Sequence, residues 1–135
     1  MDEEIAQRGA RTYAAEVKNK NEKHIAAIET DAGGFSPDGF SGEVSDEKFA
    51  KLKQWKELFL PYGIYKFEKG WSGVDVSFLK NISDGALMEL ITDSQRYFDV
   101  HHSPADVFEA VNRREMQFGS AALAGMIYLI DKYGL

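Results

Sequence analysis

The sequence predicts a single α/β domain, a three-layer sandwich built on a mainly parallel sheet. Strand-like and helix-like signals alternate along the chain rather than falling into separate blocks. The apolar run His24–Thr30 scarcely alternates, as a strand covered on both faces does. The chain has 135 residues, of which 44% are hydrophobic and 28% charged. That supports one core and is too little for two ordinary ones.

The elements follow in order. Ala10, Tyr13, Ala14 and Val17 recur at three- and four-residue steps, which predicts a helix over 6–20 with Arg8, Glu16, Lys18 and Lys20 in water. The strand at 24–30 ends in Asp31-Ala32-Gly33-Gly34. Residues 33–45, rich in glycine and proline, read as a long surface loop, a feature often tied to function. Ser45-Asp46-Glu47 starts a helix reaching about Leu60, with acids where its dipole favours them. Phe49, Leu52, Trp55, Leu58 and Phe59 form its apolar stripe, and Pro61-Tyr62-Gly63 stops it. Further strands are expected at 64–67 and 86–91, separated by the loop Gly70–Gly73. Asn112 and Glu115 form a capping box for the last helix, whose stripe is Met116, Leu123, Met126, Ile127 and Ile130. Gly134 ends it. No repeat or low-complexity tract is present.

Composition narrows the function. Sixteen basic and 22 acidic side chains give a formal charge of −6, the wrong sign for a nucleic-acid or anionic-membrane surface. With no cysteine, disulfides and thiolate zinc sites are excluded. A transition metal would need His, Asp and Glu, and the three histidines are His24, His101 and His102. The longest apolar run, 121–130, is about half a membrane span. The opening Met1-Asp2-Glu3-Glu4 has no signal-peptide character.

Three clusters carry possible chemistry, each with an ordinary reading of its own. Glu3-Glu4 suits a helix start, Asp31 suits a turn, and Ser103 with Asp106 reads as a capping box beside exposed histidines. Taken together they suggest more. Glu4, Asp31 and His102 are each expected near a strand end, where open α/β sheets place their ligand crevices. Carboxylates with one or two imidazoles make a zinc set, and an acid beside a ligating acid suits metal-assisted hydrolysis.

The order of motifs then matters. Asp2-Glu3-Glu4-Ile5 with Arg8-Gly9, then Glu29-Thr30-Asp31-Ala32-Gly33, then Tyr97-Phe98-Asp99-Val100-His101-His102-Ser103-Pro104-Ala105-Asp106, resembles the two-zinc aminopeptidase and exopeptidase family, in its carboxypeptidase Q-like branch. The resemblance runs over essentially the whole chain. It implies a zinc exopeptidase acting on peptides or dipeptides, with two zinc ions in the complete site. Glu3 matches the general base, Glu4 a zinc ligand, Asp31 a ligand of the other zinc, and His102 the closing histidine ligand. His101 sits where some relatives stabilise the oxyanion. Asp99 and Asp106 are candidates to orient the ligating imidazole, and Asp75, in Gly73-Val74-Asp75, is a supporting substrate-side residue.

The family site also uses an earlier histidine and a bridging aspartate, both upstream of the paired glutamates. His24 opens the strand whose far end leads to Asp31, about 20 Å away, so it is no substitute. The resemblance therefore casts residues 1–135 as the C-terminal part of one catalytic domain, completed by an N-terminal segment of a longer parent. One zinc would keep Glu4 and His102, and the other Asp31. Relatives are often exported, and the compartment stays open. Two other readings share the architecture: a degenerate, non-catalytic domain binding a peptide or protein partner, and a single-zinc acyltransferase such as a glutaminyl cyclase.

Overall fold

The computed structural model describes residues 4–135, so Glu3 lies outside the described residues. Its centre is strand β4, Ala86–Thr92. Beside it run β1, Ala26–Glu29, and β2, Pro37–Glu43, while β3, Lys66–Lys69, pairs with the far side of β2, giving the order β1-β4-β2-β3. The pairs β1–β4 and β2–β3 are parallel, and β2–β4 is antiparallel. The sheet is mostly parallel, as expected, with one reversal at its middle.

Strand β2 lies where the glycine- and proline-rich composition of residues 33–45 predicts a surface loop. Its sequence, Pro-Asp-Gly-Phe-Ser-Gly-Glu, has no β-branched residue and carries proline and glycine, which usually argue against a central strand. Five of its seven residues are nevertheless buried. Close approach of neighbouring backbone explains the glycines. A Cβ on Gly39 would lie 2.0 Å from the Lys66 carbonyl oxygen, and one on Gly42 2.9 Å from that of Leu87. Phe40 supplies the apolar anchor, 2% exposed, with its ring 5.6 Å from Phe59 and 5.9 Å from Phe67.

Helices cover both faces. Helix α1, Arg8–Lys20, and the single turn α3, Val74–Ser77, lie on one face, where Ala14, Val17, Leu79 and Leu87 form a small core. Helices α2, Asp46–Phe59, and α5, Arg113–Tyr133, cover the other, packing Leu52, Trp55, Phe59, Met126 and Ile130 against Phe40, Met88 and Leu90. The alternation of β4 assigns its residues: Met88 and Leu90 face α2 and α5, while Leu87 faces α1 and α3. Ser45 caps α2 by accepting from the Lys48 N–H.

At the start of α5 only half of the expected capping box forms. The Asn112 side chain accepts from the N–H groups of Arg114 and Glu115, whereas the Glu115 carboxylate turns to Arg96 and Ser36. No helix begins at Ser103. Its hydroxyl donates to the Val100 carbonyl and accepts from the Ala105 N–H in an irregular turn. A short helix not expected from sequence, α4, Ser94–Val100, leads instead into the His-His pair. Among the described residues no helix is long and apolar enough to cross a membrane.

Candidate functional site

The parallel strands β1 and β4 end on the same side of the sheet, and the candidate residues gather there. Asp31 follows β1 by two residues. The turn beyond it is tied to β4: the buried Thr92 hydroxyl donates to the Ala32 carbonyl at 2.7 Å, and the Asp93 N–H donates to the Ser36 carbonyl at 3.1 Å. Helix α4 leaves from Asp93, whose side chain caps it through the Gln95 N–H. His101 closes that helix. His102 then takes a left-handed backbone, φ 53°, a conformation uncommon outside glycine, so the chain reverses at once after the helix. His102 thus reaches the site from a helix end rather than from a strand end.

Glu4 lies in the turn before α1. That turn is held by Arg11, whose guanidinium donates to the Ala6 carbonyl at 3.3 Å and to the Gln7 side-chain carbonyl at 3.4 Å. The result is a contact across 98 residues of sequence: His102 Nε2 lies 2.5 Å from Glu4 Oε1. An ionised carboxylate only accepts, so the ring donates through Nε2. The His101 ring packs against both neighbours at tilted angles, with ring centres 4.6 Å from Tyr97 and 3.9 Å from His102.

Glu4, Asp31, His101, His102 and Asp106 all line one cavity of about 410 Å³. Asp75 and Asp99 do not line it. Asp75 is in the first turn of α3, and Asp99 is exposed on α4. His24 lies at the other end of β1, bonded to the Tyr13 hydroxyl at 2.7 Å. Sequence reasoning missed the cavity's apolar wall, Phe35, Val100 and Val111, because isolated apolar residues in loops and at helix ends show no periodicity.

A carboxylate oxygen and an imidazole nitrogen are donors that zinc accepts, and Glu4 with His102 fits two positions of a four-coordinate shell. Asp31 shares the cavity, yet among the described residues no group of three His, Asp or Glu converges closely enough to hold an ion. The described residues therefore fit part of a metal centre.

A second acidic pair lies just behind this end of the sheet. Glu29 and Glu89 are register partners on β1 and β4. Burial, and then the neighbouring charges of Glu29 and Asp31, hold the Glu89 carboxyl above its ordinary value. Glu29 is satisfied by the N–H groups of Val74 and Val76 at 3.2 and 3.0 Å, a helix start offering donors to an anion.

Over 123 residues the chain is 30% identical to carboxypeptidase Q of Rattus norvegicus and 27% identical to that of Bos taurus, in each case over 90% of this chain and 26% of the relative. The structure superposes on a peptidase M28 precursor from Shewanella amazonensis SB2B with a TM-score of 0.83 and 28% identity, covering 95% of this chain and 29% of that one. By sequence and fold, this chain is a relative of carboxypeptidase Q and the M28 peptidases. It spans about a quarter of the length of the curated relatives it matches. No family model matches it. Within the M28 relationship, the contact between Glu4 and His102 joins the first and last of the motifs on which the resemblance was read.

Proposed function

We propose that this chain is the C-terminal part of a zinc exopeptidase catalytic domain, from a longer parent that removes N-terminal residues or splits dipeptides. The observation that carries the reading is the meeting of Glu4 and His102 at a cavity shared with Asp31. Glu4 and His102 hold one ion, Asp31 belongs to the second, and the remaining ligands come from elsewhere in the parent. Zinc, when bound, polarises the scissile carbonyl and lowers the pKa of a coordinated water to about 7.

The chain's own residues then have distinct tasks. Glu3, adjacent to the ligand Glu4, takes a proton from the attacking water and returns it to the leaving amine. His101, kept in place by its contacts with Tyr97 and His102, donates to the oxygen on which negative charge develops. Asp106 lines the cavity beside the histidines and serves to orient an imidazole. In the parent, Glu3→Gln is expected to lower kcat on a dipeptide by at least a hundredfold while zinc content stays unchanged. Loss of zinc with the rate preserved contradicts this assignment.

One observation favours a second reading. Because no three-donor cluster exists among the described residues, a degenerate domain that binds peptide without hydrolysing it also suits the fold. Such a domain would bind peptide in the same cavity and show no turnover in the parent.

A further inference from the structure

Helix α4 delivers the two histidines to the candidate site, yet core packing does little to fix it. None of its seven residues is buried. Two turns of helix are too short to be stable in isolation, so α4 depends on ties to its surroundings. Its start is tied by Asp93, whose side chain accepts from the Gln95 N–H and whose own N–H donates to the Ser36 carbonyl, each at 3.1 Å. Its middle is tied by Arg96. The Arg96 guanidinium donates to Glu115 Oε1 at 2.5 Å and lies over the Phe35 ring, 5.0 Å from the ring centre.

Glu115 receives it at the expense of its own helix. As the third residue of α5 it could close the capping box by accepting from the Asn112 N–H, and it does not. Its Oε1 accepts from Arg96 and from the Ser36 hydroxyl at 3.1 Å, while Oε2 is buried without a hydrogen-bond partner. A buried carboxylate oxygen left unpaired is unfavourable, and the adjoining guanidinium offsets that. Ion pairs between exposed side chains contribute little, largely because both side chains must be ordered. Here the Glu115 side chain is 18% exposed and already fixed by Ser36. Helix α5 is the firm side of the contact, 21 residues long with Met126 fully buried. Ser36 joins both helices to one cluster, its carbonyl meeting the start of α4 and its hydroxyl meeting Glu115.

We propose that Arg96 and Glu115 are positioning residues of the candidate site: their pair clamps α4 to α5 and so sets where His101 and His102 stand. Neither residue touches the metal or the substrate; both act through the helix that ends in the histidines. The clamp rests on the peptidase reading for what the histidines then do. That α4 is held by this pair is a separate claim, with its own readout.

The test compares the longer parent with its Arg96→Met, Arg96→Lys and Glu115→Gln variants. Amide hydrogen exchange is followed by mass spectrometry, and zinc affinity by competition with a chelator. Arg96→Met keeps a long stem beside Phe35 and removes the charge. It is expected to speed exchange over residues 94–102 by at least about threefold, leave β4 and the body of α5 unchanged, and weaken zinc binding by a similar factor. Glu115→Gln, which keeps an acceptor for Ser36, is expected to give the same pattern from the other helix. Arg96→Lys, which keeps a cation beside Glu115, is expected to recover most of both losses. Exchange over 94–102 that stays unchanged in Arg96→Met and Glu115→Gln, or that rises equally throughout the chain, overturns the clamp. A loss that Arg96→Lys does not recover overturns the ion pair as its cause. The two readings fail separately. Zinc bound by a parent whose α4 exchange ignores these variants overturns the clamp alone. Exchange raised selectively over α4, in a parent that takes up no zinc, upholds the clamp and counts against the metal reading.

Discussion

Glu89 shows how a single residue here carries a cost. Its carboxyl is half-buried beside Glu29 and Asp31, and burial first, then those charges, raises it above its ordinary value of 4.5. A carboxyl raised in the folded state favours folding while both states are protonated, and that contribution is lost as pH rises through the folded value. Glu89→Gln removes the buried charge and keeps the shape. The variant is expected to melt at a higher temperature than the parent at pH 7, and the gap is expected to close as pH falls to about 4.5 and below. A gap that widens on acidification contradicts the stated cause. Residues of this kind were legible unevenly. Glu4, Asp31 and His102 stood out because acids and histidines at element ends are conspicuous in a sequence with three histidines. The Glu29–Glu89 pair did not, since it exists only through the β1–β4 register. Phe35 and Val111 were silent for a similar reason: each is an apolar residue outside any repeat.

At the scale of elements, the chain was legible where apolar spacing is regular and hidden where close backbone contact replaces it. Helix α5 is evident from its apolar spacing, and Asn112 caps its start. Its inward face is narrower than its apolar pattern, however. Met126 is fully buried, while Met116 is 51% and Ile127 56% exposed. Leu58 on α2 is likewise 57% exposed, because each helix lies on the sheet along one side only. Met126→Ala is accordingly expected to cost about 2–5 kcal/mol of unfolding free energy by urea denaturation. A cost below about 1 kcal/mol would mean that α5 is not seated on β4 as described. Strand β2 is the converse case. Its glycines read as loop, yet they are what lets β3 and β4 lie against it.

The whole molecule is a mixed sheet whose strand ends decide where chemistry is possible. Because β1 and β4 run parallel and β2 runs against β4, the Asp31 turn, α4 and the turn before α1 meet at one end of the sheet. His24 is left at the other. That arrangement brings residues 4 and 102 together, the pair proposed to hold zinc in the parent. The direct measurement is native mass spectrometry of the longer parent titrated with zinc, alongside its Glu4→Gln and His102→Ala variants. Saturable zinc uptake is expected in the parent, with one ion lost in either variant while the fold is kept. Folded variants that take up as much zinc as the unaltered parent would contradict the claim.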